Sequence, residues 1–268
     1  VSGEPGWILP EDVRDALRAG TGRGVRVAIL DSGVDATHPA LASLTVRESW
    51  GVVVTEDGTK LVPDRAGDAF GHGTAVAHVI HEVAPEAEIG SFKVLDVGEG
   101  GGSGTAAALE AAVTEAIARG YHLVNCSFGT PARPVVFRHF KQWIDAAYLR
   151  DVHVVTACNN ADYARPEWPA HFPSVIAVNM GRIEGDAFHF RPGHLVEFFA
   201  RGEKVRVPWL RHEWKTVTGS SYAAPRVAGL VARLLSVHPG LSAPLVKAAL
   251  RHVARPWTPE IAGDNVWS

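Results

Sequence analysis

The sequence predicts an α/β fold: a mostly parallel central sheet with helices on both faces, in three layers. Three observations predict it. Short runs rich in Val, Ile, Leu and Ala, such as residues 25–30 and 152–157, read as strands buried on both faces. Helical patterns alternate with these runs along the chain, the rhythm of a parallel sheet. Asp31, Ser127 and Asn160 fall at the carboxyl ends of predicted strands, where such sheets gather ligands. No internal repeat, low-complexity tract or linker interrupts the pattern, so residues 1–268 read as one domain.

Each element has its own signal. Residues 7–20 predict a short helix, with Pro10 in its first turn, Glu11 and Asp12 at its positive end and Gly20 past its end. Residues 25–30 are a strand that delivers Asp31 at its tip. Residues 45–68 carry turn signals such as Asp57-Gly58 and read as a hairpin. A helix over 74–81 stops before Ala84-Pro85. Residues 89–95 are a strand, followed by a glycine-rich loop over 98–104. The next helix sets Leu109, Ala112, Val113, Ala116 and Ile117 on one face and ends at Gly120. Strands follow at 123–127, 152–157 and 175–179, with a helix over 135–150 between the first two. Two helices, 221–238 and 243–254, close the chain through Pro239-Gly240.

Composition narrows the function. With 46% apolar residues the chain can bury a large core, and with 21% charged residues and a net charge of −3 it carries no basic stripe. Nucleic acid is therefore not an expected partner. No apolar stretch approaches the ~20 residues of a bilayer span, so no membrane association is expected. No export leader is visible at Val1. Cys126 and Cys158 are the only cysteines, too few for a disulfide framework, although a bridge between them stays open.

Three separated stretches carry the chemistry. Asp31-Ser32-Gly33 follows a strand, Gly71-His72-Gly73-Thr74 opens a helix, and Gly219-Ser220-Ser221-Tyr222-Ala223-Ala224-Pro225 opens another. A serine hydroxyl is a poor nucleophile near neutral pH. It needs a base to take its proton and an acid to hold that base in the right tautomer. Each residue alone has a plainer reading: Asp31 as a turn former, Ser221 as a helix cap, His72 as one of 13 histidines.

Together these motifs resemble the subtilisin family of serine peptidases, the subtilases, over nearly the whole chain and in the family's order of acid, histidine and serine. Asp31-Ser32-Gly33-Val34-Asp35 with His38-Pro39 matches the acid motif. His72-Gly73-Thr74 matches the histidine motif but continues Ala75-Val76-Ala77-His78. The serine motif departs from the family at Ser220, Tyr222, Ala224 and Arg226. The resemblance implies a subtilisin-like α/β/α fold and a serine endopeptidase working through an acyl-enzyme. Ser221 is the implied nucleophile, His72 the base and Asp31 its orienting acid. Asn160 is the implied oxyanion donor, or Asn159 if the register slips by one. Ser127, Phe128 and Gly129 resemble the strand lining the substrate cleft. Gly102 and Gly104 fall where the family pairs with substrate backbone, and Asn159 replaces the usual glycine near the first specificity pocket. Cys158, Asn159 and the segment 167–170 are expected to shape that pocket.

No cofactor or metal is expected. Gly100-Gly101-Gly102-Ser103-Gly104 lacks the lysine of a phosphate loop, and His78, His81 and Glu82 read as structural or solvated. The family's calcium loop is expected to be missing, because His81-Glu82-Val83-Ala84-Pro85 runs straight to the next strand. With no signal peptide seen and no disulfide framework, a cytoplasmic setting is expected over secretion. The expected partner is a peptide or protein substrate. Control would come from substrate choice, a regulatory partner or a pro-segment outside this chain, which suits a dedicated processing protease. The alternative is a catalytically silent subtilase-like domain that binds peptides or scaffolds a complex, motivated by Ser220, Asn159 and Arg226.

Overall fold

Ten strands form the central sheet among the described residues, 8–56, 58–98 and 101–265 of a computed structural model. In chain order they are β1 (Arg26–Asp31), β2 (Thr45–Thr55), β3 (Gly58–Pro63), β4 (Glu88–Lys93), β5 (Leu123–Cys126), β6 (His153–Ala157), β7 (Ile176–Gly181), β8 (Phe188–Phe190), β9 (Phe198–Arg201) and β10 (Arg255–Pro256). Across the sheet the order is β10-β8-β9-β7-β6-β5-β1-β4-β2-β3. Neighbours are parallel except for β2 with β3 and β8 with β9.

Six helices cover the sheet: α1 (Pro10–Ala19), α2 (His72–Val83), α3 (Ala106–Ala118), α4 (Pro134–Tyr148), α5 (Ser220–Val237) and α6 (Ala243–Val253). Helices α1, α2, α5 and α6 pack on one face, and α3 and α4 on the other. The strands show why. Val27 and Ile29 of β1 enter the first core, whereas Ala28 and Leu30 enter the second. In β6, Val155 and Ala157 face one way and Val154 the other. A strand apolar on both sides demands cover on both sides, which gives the three layers.

The structure moves several boundaries. Helix α2 begins at His72, two residues before its apolar pattern does. The glycine-rich stretch is not a plain loop, because Asp96–Gly98 and Gly101–Ser103 pair as a short antiparallel hairpin. The turn residue Asp57, along with Gly100, lies outside the described residues. Between Gly181 and Gly219 the sequence offered no elements, yet the chain forms β8, β9 and a hairpin of Val205–Pro208 with Trp214–Val217. Residues 84–87 alone join α2 to β4. Cys126 and Cys158 are both free and buried, and burial pushes both thiols up. Among the described residues no helix is long and apolar enough to cross a membrane.

Neighbouring parallel strands end on the same edge of a sheet. β6, β5 and β1 are adjacent, so Asp31, Ser127 and the segment 158–160 emerge side by side. Helix α5 packs against α2 and the same central strands, which brings Ser221 to that edge.

Candidate active site

Asp31 is the last residue of β1 and is 1% exposed. His72 is the first residue of α2, and its Nδ1–H donates to Asp31 Oδ1 at 2.8 Å and Oδ2 at 3.0 Å. Gly73 permits this approach: a Cβ there would collide with the Gly33 carbonyl and press on Asp31. Burial works to lower the His72 pKa. The charge and hydrogen bond of Asp31, with a further contribution from Asp68, outweigh it and leave the imidazole above its ordinary value.

Sequence reasoning missed the residues that hold this pair in place. Asp68 Oδ1 accepts from Ser32 Oγ (2.8 Å), Phe70 N–H (2.9 Å) and Gly71 N–H (2.8 Å). Its Oδ2 accepts from Thr74 N–H (2.8 Å) and Thr74 Oγ (2.7 Å). Ser32 Oγ in turn receives Gly73 N–H at 3.1 Å, and Ser32 N–H donates to Asp31 Oδ1 at 2.8 Å. One buried carboxylate therefore caps α2 and ties it to the tip of β1. The signal was an acid shortly before a helix start.

Ser221 lies in the first turn of α5. Pro225, four residues on, has no N–H to give the Ser221 carbonyl. Ser127 Oγ donates to that carbonyl at 3.0 Å, and Asn125 Nδ2 donates to Ser127 Oγ at 2.9 Å. The Ser221 hydroxyl donates to the main-chain carbonyl of Ser127 at 2.9 Å rather than to His72. The next residue, Tyr222, sets its ring 5.5 Å from the His72 ring, centroid to centroid. The structure thus joins Asp31 to His72 directly, while the Ser221 hydroxyl turns to Ser127, which lines the same hollow as His72.

The two asparagines separate clearly. Asn159 Oδ1 accepts from Ala161 N–H (2.9 Å) and Asp162 N–H (3.0 Å), closing its own loop. Asn160 Oδ1 accepts from Ser220 N–H at 2.7 Å, which leaves its NH2 to donate beside the nucleophile. Ser220 is fully buried, and its Oγ donates to the Cys158 carbonyl at 2.7 Å. This departure from the family motif therefore clamps the serine turn to the asparagine segment. Arg226 is not at the site: its guanidinium bonds Asp186 (2.8 Å) and Glu82 (3.4 Å), at the opposite end of α2 from His72. His81 Nε2 lies 2.8 Å from Ser43 Oγ and His78 Nε2 lies 3.6 Å from Glu82, so both have protein partners.

A groove runs from the imidazole. One hollow of about 160 Å³ is lined by Asp31, His72, Leu95, Ser127 and Phe128. A second, of about 280 Å³, shares Leu95 and Phe128 and adds Gly104, Gly129 and Thr130. Gly102 instead pairs with Val97 within its hairpin. A wider, open hollow of about 860 Å³ between Gly181 and Lys204 shares no lining residue with this groove.

Comparison with known proteins fits this arrangement. The family model described as the subtilase family matches residues 22–266. The chain belongs to the subtilase family. Subtilisin DY of Bacillus licheniformis is 30% identical over 254 residues, covering 87% of this chain and 84% of the relative. The M-protease of Shouchella clausii is 30% identical over 244 residues, and the chain spans 60% of its length. Among solved structures, a cold adapted subtilisin-like serine proteinase is 26% identical with a TM-score of 0.69, covering 87% of this subtilase and 83% of that chain. The three-layer fold is subtilisin-like, and the enzyme class is that of a serine-type endopeptidase.

Proposed function

We propose that this subtilase hydrolyses peptide bonds through an acyl-enzyme formed on Ser221, with His72 as base and Asp31 as its orienting acid. The bond from His72 Nδ1–H to Asp31 carries the reading, because it fixes the tautomer that leaves Nε2 free to accept a proton. Rotation of the Ser221 hydroxyl off the Ser127 carbonyl frees it for attack on a substrate carbonyl, with its proton passing to His72 Nε2. The carbonyl oxygen gains negative charge, which Asn160 Nδ2 and the Ser221 N–H can stabilise. That N–H lies in the first turn of α5, where a helix has no acceptor for it. As the intermediate collapses, the C–N bond breaks and His72 returns its proton to the leaving amine. Water then repeats the sequence and releases the acid.

The hydroxyl's present bond to Ser127 is the one observation favouring a silent, peptide-binding domain. Incubation with a diverse peptide pool separates the readings. The wild type is expected to cut and Ser221→Ala to leave the pool intact; a folded wild type that cuts nothing supports the silent domain. A narrow set of cuts supports the proposed processing role and control by substrate choice or an outside partner or pro-segment. A cytoplasmic setting is the last part of the proposal. Its support is the pair of unbridged thiols, and cell fractionation tests it.

A further inference from the structure

The segment behind the nucleophile holds a carboxylate without a partner. Glu167 is 8% exposed, yet among the described residues its carboxyl group makes no hydrogen bond or ion pair. Burial pushes its pKa up, and the exposed Arg165 offsets this only in part. A largely buried acid with no protein partner is open to any cation that can reach it, and pairing would favour its charged form.

Its position says what that is. Glu167 and Trp168 pair with Pro131 and Thr130, which lays the glutamate against the strand that leaves Ser127. The carboxyl group packs directly on the Cα of Gly129, where any side chain would strike it. Its charge also acts on the Cys158 thiol and adds to the rise in that group's pKa. The carboxylate therefore lies against the segment 127–129 and within electrostatic reach of 158–160, the two segments that grip the serine turn through Ser127, Cys158 and Asn160. In the acyl-enzyme geometry proposed above, a substrate carbonyl set on Ser221 with its oxygen at Asn160 would turn the side chain of its own residue toward that carboxylate.

Resting on the peptidase reading above, we infer that Glu167 forms the acidic floor of the first specificity pocket and that this subtilase cuts after lysine or arginine. A long aliphatic stem suits the neutral Gly129 and Cys158, and its cationic end would reach the Glu167 carboxylate. Pairing with a buried acid rewards the basic residue and penalises neutral or acidic ones, so the carboxylate both attracts and excludes.

The test is kcat/KM for peptides identical except for the residue before the cut, set as Arg, Lys, Gln, Leu or Glu. The expected preference for Arg and Lys over Gln is about 10²-fold, and Glu167→Gln should erase most of that ratio. The substitution removes an uncompensated buried charge, so the variant is expected to fold, which fluorophosphonate labelling and near-UV circular dichroism register. Indifference to charge in the wild type, a preference for Leu, or a ratio unchanged in labelled Glu167→Gln overturns the inference and leaves the peptidase reading standing. A folded wild type that neither labels nor cuts overturns both.

Discussion

Because Asp31 holds His72 above the ordinary imidazole value, it sets the pH range in which the base is free to act. Only neutral His72 accepts the serine proton, so kcat/KM should climb as pH rises through its pKa. The midpoint of that limb is expected above 6.5, the ordinary value. Replacing Asp31 by Asn should move the midpoint down and lower kcat by about 10⁴. A limb that stays in place in Asp31→Asn would assign it to another group. Asn160→Ala should cost about 10²–10³ in kcat with KM nearly constant, the magnitude known for a subtilisin oxyanion donor. The three motif residues were legible because each sits beside glycine at an element boundary. The roles of Asp68 and Ser32 were not, since the bond between them joins distant parts of the chain, and Ser127 was legible as a cleft residue but not as the partner of the Ser221 carbonyl and hydroxyl.

Helix α2 shows the same lesson for an element. Its apolar period starts after Thr74, and the residues before it carry no apolar signal. The helix nonetheless reaches His72, because Asp68 satisfies the N–H groups of Gly71 and Thr74 from outside the helix. Replacing Asp68 by Ala leaves those buried groups unmet and should cost about 1–3 kcal/mol of stability, measured by denaturant titration. The His72 pKa should fall as well, since Asp68 contributes to raising it. Stability and pKa both unchanged would remove Asp68 from the account. Long strands and helices of the first half declared themselves through uniform apolar runs. The strands Phe188–Phe190 and Phe198–Arg201 are too short for any period, and only their neighbours in the sheet define them.

Over the whole molecule, α6 is tied to the segments entering β7 and β9 by a buried ion cluster that composition could not reveal. Glu197 lies 2.6 Å from Lys247 and 2.5 Å from Arg251, both on α6, while Lys247 also donates to the carbonyls of Pro173 and Val175 at 2.6 Å. Removing the acid leaves a lysine buried without its counter-charge. Glu197→Ala should therefore destabilise the fold by about 3–5 kcal/mol, read from the shift in denaturation midpoint, with probe labelling of the folded fraction retained. A shift under about 1 kcal/mol would show that solvent reaches the cluster. The central claim is that this fold activates one hydroxyl among many. Intact-mass analysis after fluorophosphonate exposure tests it most directly. One adduct is expected, mapped to Ser221 and lost in His72→Ala; a folded wild type with no adduct, or with the adduct on another residue, would contradict the claim.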